Sequence, residues 1–148
     1  MLNQFCKYNN WANSLLLDTL ISHSNSLPES CLQLFSHIVN AQTIWHSRIN
    51  GTPNSISVWQ LHDLETCKGL LEESGKELTQ IEQQKSIHPQ VIKYTTSAGT
   101  YFETSVQDIL LHVFNHGTYH RAQIAKEMKL HNLPPINTDY IMFVRLQS

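Results

Sequence analysis

Hydrophobic and polar positions along the chain fall into four stretches of helical period, one short stretch of strand period, and a brief apolar tail. In the first, Tyr8, Trp11, Ala12, Leu15, Leu16 and Thr19 share one stripe, which predicts a helix from about Asn3 to Ser22, ended by Ser24, Asn25 and Ser26. Ser26-Leu27-Pro28-Glu29 then reads as a capping box with a proline in the first turn. The second helix has an inner stripe of Leu34, Phe35, Ile38, Gln42, Trp45 and Ile49, and Asn50-Gly51-Thr52-Pro53-Asn54 stops it with turn chemistry. Ser57-Val58-Trp59-Gln60 repeats the capping-box pattern, and Leu61, Leu64, Leu71, Leu78 and Ile81 carry a third helix to about residue 84.

From Ile87 to Thr104 the period changes. Val91, Ile92, Tyr94, Thr95 and Thr96 lead through Ser97-Ala98-Gly99 to Thr100, Tyr101 and Phe102, which predicts a small β-hairpin. Ser105-Val106-Gln107-Asp108 caps a fourth helix that runs to about Lys129, with Val106, Ile109, Leu110, Val113, Gly117, Ile124 and Met128 as its core stripe. Leu133-Pro134-Pro135 breaks the chain, and Tyr140 to Leu146 forms an apolar tail, either strand or irregular. Four long amphipathic helices in one small chain predict an all-α four-helix bundle, with a hairpin between helices 3 and 4. Two connections are long enough to cross the bundle: the one from helix 2 to helix 3, and the one that carries the hairpin.

Length supports this. A globule of 148 residues buries about 70% of its unfolded surface and sustains one core, so residues 1–148 are expected to form a single domain. The 10 Lys+Arg against 12 Asp+Glu give a formal charge of −2 with no basic cluster, which argues against direct nucleic-acid binding. Three cysteines, Cys6, Cys31 and Cys67, without CxxC spacing, argue against a disulfide framework and read as buried packing residues. No apolar run is long enough for a membrane span, and the N-terminus lacks a signal-peptide pattern, so a soluble cytoplasmic protein is expected.

The compositional outlier is histidine, with nine scattered residues. His112, His116 and His120 recur at intervals of four on helix 4, and residues at i and i+4 lie one above the other, so two imidazoles can share one divalent ion. At 100° per residue, His120 falls about 20° from Val113, His116 about 60° and His112 about 100°. His116 and His120 therefore face inward, and His112 lies toward the rim. Two ligands need a third, and His37 stands on an apolar flank of helix 2 with Leu34, Ala41 and Ile44, where its ring nitrogens require partners. A helix-2 histidine meeting the helix-4 pair would leave positions open for water or substrate, as catalytic zinc sites do. The pair lacks the adjacent glutamate of an HExxH zinc protease. Lone helical histidines are more often surface or hydrogen-bonded core residues, and that is the reading for His23, His46, His62, His88 and His131. Trp11, Trp45 and Trp59 are expected to pack the core or a subunit interface.

Three motifs occur in order: Tyr8-Asn9-Asn10-Trp11-Ala12-Asn13; His37 followed by Trp45, Arg48 and Gly51; and His116-Gly117-Thr118-Tyr119-His120-Arg121-Ala122-Gln123. Together they resemble the DinB-like (DinB/YfiT) metalloprotein family, which is unrelated to the translesion polymerase of the same name. The resemblance implies a four-helix bundle with a crossover connection, commonly a homodimer, holding a divalent metal on His37, His116 and His120. Relatives in that family include S-transferases and isomerases that use bacillithiol, mycothiol or glutathione with zinc or nickel. The expected function is thus delivery of a low-molecular-weight thiol to a small-molecule electrophile, with His112, Tyr119, Arg121 and Gln123 as supporting candidates. The alternatives are metal-assisted hydrolysis and a non-catalytic, metal- or ligand-binding stress-response protein. Hydrolysis would call for a carboxylate base, yet Asp108 lies about 12 Å along the helix from His116, and Glu127 about 10 Å from His120.

Overall fold

The computed structural model describes all residues from Met1 to Ser148. Four long helices form the bundle: α1 (Leu2–Ser22), α2 (Glu29–Asn50), α3 (Leu64–Gln83) and α4 (Val106–Leu130). Between α3 and α4 come a 3-10 turn at Lys85–Ile87 and an antiparallel hairpin of β1 (Val91–Thr95) and β2 (Tyr101–Ser105), in which Lys93 pairs with Glu103. Gly99, at φ 82°, makes the tight turn of that hairpin. No helix is long and apolar enough to cross a membrane.

α1 packs against α3 and α4, and α2 packs against the same two, so α1/α2 and α3/α4 face each other across the diagonals. The crossover through the hairpin is as expected. The long connection from α2 to α3 is different, because it joins neighbours and is used to cover α2. Ser36, His37 and Asn40 fasten it: Asn40 Nδ2 donates to the carbonyls of Gln60 at 2.8 Å and Val58 at 3.3 Å, and the Ser36 hydroxyl accepts from the His62 amide at 3.1 Å. The ring of His62 completes the seam with a 2.7 Å bond between its Nε2 and Asn40 Oδ1. With this cover on one side and helices on the others, α2 is buried continuously from Phe35 to Gln42, wider than the stripe its periodicity suggests.

Three boundaries depart from the sequence reading. Helix α3 begins at Leu64, where Asp63 accepts from the Thr66 amide at 2.7 Å, and not at Ser57. At Ser57 only half of the capping box forms: Gln60 Oε1 accepts from the Ser57 amide at 3.2 Å, while the Gln60 amide bonds the Ser57 carbonyl and closes a single turn. The N-cap of α2 is Pro28, so Ser26 caps nothing and donates instead to the His23 carbonyl. The tail is neither strand nor irregular. Tyr140–Arg145 form α5, whose Tyr140 and Phe143 pack on Phe5, Tyr8 and Trp11 of α1. The cap at Ser105 forms as its sequence predicts, accepting from the Asp108 amide at 3.1 Å.

The core has two main apolar clusters and a small third one of Tyr8, Ala12 and Phe143 between α1 and α5. One main cluster joins Leu16, Leu20, Phe35, Ile38, Leu71, Ile124 and Met128, and the other joins Cys6, Leu78, Ile81, Ile109, Leu110, Val113 and Phe114. On each of the four long helices a buried polar residue lies between the two main clusters: Asn9 and Asn13 on α1, Gln42 on α2, Ser74 on α3 and Arg121 on α4. They form one network. Arg121 Nη1 donates to Asn13 Oδ1 at 2.7 Å and to Asn9 Oδ1 at 3.2 Å. Both asparagine amides donate to Gln42 Oε1, and Gln42 Nε2 donates to the Ser74 hydroxyl. Every member after the arginine is neutral, so the guanidinium is solvated by side-chain carbonyls in place of a carboxylate. Burial lowers its pKa, opposed by Tyr8, whose ring lies 5.1 Å from the guanidinium carbon.

Candidate metal centre

His37 on α2 meets His116 and His120 on α4, and one nitrogen from each ring lies within 4.8 Å of the others. This is the trio that the helical wheel and the motifs single out. His37 and His120 are buried and His116 is half-buried. His37 Nε2 and His116 Nε2 approach to 3.0 Å, close to the ~3.3 Å that bonds of about 2.0–2.1 Å in a tetrahedral zinc site dictate.

Hydrogen bonds on the far side of two rings orient them. His37 Nδ1 donates to the Val58 carbonyl at 3.0 Å, leaving a lone pair on Nε2. His120 Nδ1 donates to Gln123 Oε1 at 2.7 Å, which leaves its Nε2 equally free. Metal-bound histidines ordinarily carry an outer partner of this kind. At 3.0 Å, His116 Nε2 in its N–H tautomer donates to the free lone pair of His37 Nε2, and a divalent ion bound there would take the place of that proton. Burial, then the neighbouring His120, His37 and His112, push the pKa of His116 down to about 3, so it is the neutral ring that faces His37. Burial also lowers the pKa of His37, against the opposing bond from Val58. Three imidazole nitrogens converging from two helices form a donor set that fits a divalent cation.

The supporting residues divide by direction. Gln123 serves His120 as described. Arg121, next to His120 in sequence, points the opposite way into the polar layer. Tyr119 is exposed with its ring edge against His120, and His112 is exposed at the rim, as the wheel predicts, with its ring 5.5 Å from that of His116 and 5.6 Å from Trp45. Gly117 answers to the core and not to the metal. A Cβ there would come within 2.7 Å of Asn9 Oδ1 and 2.8 Å of Arg121 Nη1.

Two contributors escape sequence reasoning. The Val58 carbonyl orients His37, and Trp59 stacks on the His37 ring with centroids 3.8 Å apart. Trp59 is therefore not a core residue. The two belong to the cover on α2, and a backbone carbonyl has no sequence signal. The remaining histidines are as expected except one: His46 is buried with neither ring nitrogen hydrogen-bonded. Beside the trio opens a cavity of about 930 Å³, with His37, His116, His112 and Trp59 in its wall and no Asp or Glu.

The sequence profile of the DinB family matches residues 1–147. The chain belongs to the DinB family. Among curated proteins none matches it. The bundle, the inserted hairpin and the three-histidine cluster are thus features of a DinB-family chain, and the cluster is compatible with metal binding.

Proposed function

We propose that this DinB-family protein holds a divalent metal, zinc or nickel, on His37, His116 and His120, and uses it to transfer a low-molecular-weight thiol to an electrophilic small molecule. The observation that carries this reading is the convergence of three imidazole nitrogens beside a cavity that contains no carboxylate. When bound, such an ion lowers the pKa of a thiol or a water and so supplies a nucleophile at neutral pH. A carboxylate-assisted hydrolysis has no support in the wall, which holds neither Asp nor Glu.

The chain's own residues divide the remaining work. Val58 and Gln123 hold two rings in the tautomer that presents Nε2. Trp59 covers one face of His37 and excludes water from it. His112, in the cavity wall beside His116, is the group positioned to take the proton that an incoming thiol releases. The nucleophile must come from outside. Cys6, Cys31 and Cys67 are all buried, none lines the cavity, and burial pushes the Cys31 thiol up to about 11.

Metal content of untagged protein, measured with wild type and His120→Ala, tests the site: one equivalent in the wild type and loss in the variant are expected. Turnover of a chromogenic electrophile tests the chemistry. Product that forms only when a thiol is added supports transfer, and product formed equally without thiol overturns it in favour of hydrolysis.

A further inference from the structure

Arg48 is a cation without a partner. It forms neither of the two salt bridges and no side-chain hydrogen bond to an oxygen or nitrogen, although it lines the same cavity as His37 and His116. Its guanidinium is held all the same: its central carbon lies 4.7 Å from the Trp45 ring centroid and 4.9 Å from that of Tyr94. Aromatic faces fix the position of a guanidinium and leave its N–H donors unspent. A fixed fork of unspent donors, in a cavity free of Asp and Glu, has the chemistry of an oxyanion receptor.

Its position on α2 gives the site a direction. His37, Ala41, Ile44 and Arg48 stand at i, i+4, i+7 and i+11, so they share one stripe, and all four line the cavity. A candidate ligand atom lies at one end, small and apolar side chains form the floor, and a guanidinium lies at the other end. Eleven residues separate the ends by about 16 Å along the axis, so the guanidinium and the histidines occupy opposite ends of the stripe.

We propose that Arg48 anchors an oxyanion, a carboxylate or a phosphate, on the small molecule that this cavity takes, at the end remote from His37 and His116. This rests on the reading that the cavity serves the histidine site. The anchor would select elongated anionic molecules and supply binding energy away from the reacting atom. Arginine in the last turn of a helix also complements the helix dipole, but that role involves neither a cavity nor selectivity among ligands.

The test is a calorimetric titration of the protein with glutarate, its dimethyl ester and inorganic phosphate, with and without added zinc. Wild type should bind glutarate or phosphate saturably and the uncharged ester at least about tenfold more weakly, since hydrogen bonds to a charged group contribute on that scale. Arg48→Gln should abolish the preference, and Arg48→Lys, which keeps the charge and loses the fork, should retain part of it. Glutarate and phosphate in parallel identify which oxyanion is taken. Equal binding of diacid and ester, an unchanged preference in Arg48→Gln, or no binding of either anion by wild type overturns the proposal. Should the thiol reading fail instead, no thiol would support turnover, while the metal-free glutarate titration would still separate wild type from Arg48→Gln.

Discussion

The rings of His37 and Trp59 lie face to face, with planes 6° apart and centroids separated by 3.8 Å. One is a candidate ligand on α2 and the other belongs to the irregular cover. Trp59 is 61% exposed, so its stack on His37 is its main tie to the fold. An indole in this position reports on the ion. Copper(II) added to the metal-free protein should quench tryptophan emission to a saturable extent, and Trp59→Phe should remove most of that quenching while the melting temperature changes little. Equal quenching in Trp59→Phe would mean that the ion binds elsewhere or that Trp45 dominates the signal.

His46 makes the stability of the fold depend on pH. It is buried, both ring nitrogens lack partners, and burial lowers its pKa below the ordinary value of 6.5, with Glu77 and Glu73 opposing the shift. In a window below 6.5 the unfolded chain therefore binds more protons at this residue than the folded chain does. The contribution is fully present above 6.5 and is lost as pH falls through the window. Urea midpoints of metal-free protein should drop between pH 7 and pH 5, and His46→Leu should flatten the drop. His37, His112 and His116, shifted in the same direction, add to the slope. An identical slope in His46→Leu would show that its ring is solvated in solution.

Much of this architecture is legible in the chain, because one-dimensional periodicity maps directly onto helices. The core stripe of α4 is buried at every position from Val106 to Met128 that the pattern names, and the angles of His116, His120 and His112 translate into two inward rings and one at the rim. The departures lie where long-range contacts decide. Ser57-Val58-Trp59-Gln60 has the letters of a helix start, but the segment is held across α2 by Asn40 and forms a wall of the site instead. The tail lacks enough residues to display a period, and its helix is fixed by aromatic packing on α1. The polar layer is the least legible part. Asn9, Asn13, Gln42, Ser74 and Arg121 are spread over 113 residues, and only the diagonal topology brings them to one level.

Gly117 gives a test of that layer which does not remove any of its members. Alanine is favoured over glycine inside a helix by about 1 kcal/mol. Here the added methyl would meet Asn9 Oδ1 and Arg121 Nη1 well inside normal contact distance. Overpacking of this kind costs about 1–3 kcal/mol, so Gly117→Ala should be net destabilising by denaturant titration, despite its better propensity. A stabilised variant would mean that the network can shift without loss.

Arg121 should be the most sensitive position in the core. It is 3% exposed, and its Nη atoms bond Asn9, Asn13 and Thr118. Truncation to alanine opens a cavity and strands the Asn13 amide oxygen, at about 1–3 kcal/mol for an unsatisfied group, while Asn9 Oδ1 keeps the Asn13 amide as a donor. Replacement by methionine fills much of the volume yet restores no donor, so it separates packing from hydrogen bonding. If hydrogen bonding dominates, Arg121→Met should lose about 3 kcal/mol and Arg121→Lys, which keeps a donor, should lose less. If the guanidinium is instead a net burden because no carboxylate pairs with it, Arg121→Met should match wild type in stability. The alternatives then separate on cooperativity, since a bundle relieved of its polar layer can slide one apolar cluster past the other. A wild-type midpoint with a lowered m-value in Arg121→Met would assign the layer to fixing helix register, and a lowered midpoint at unchanged m-value would assign it to stability.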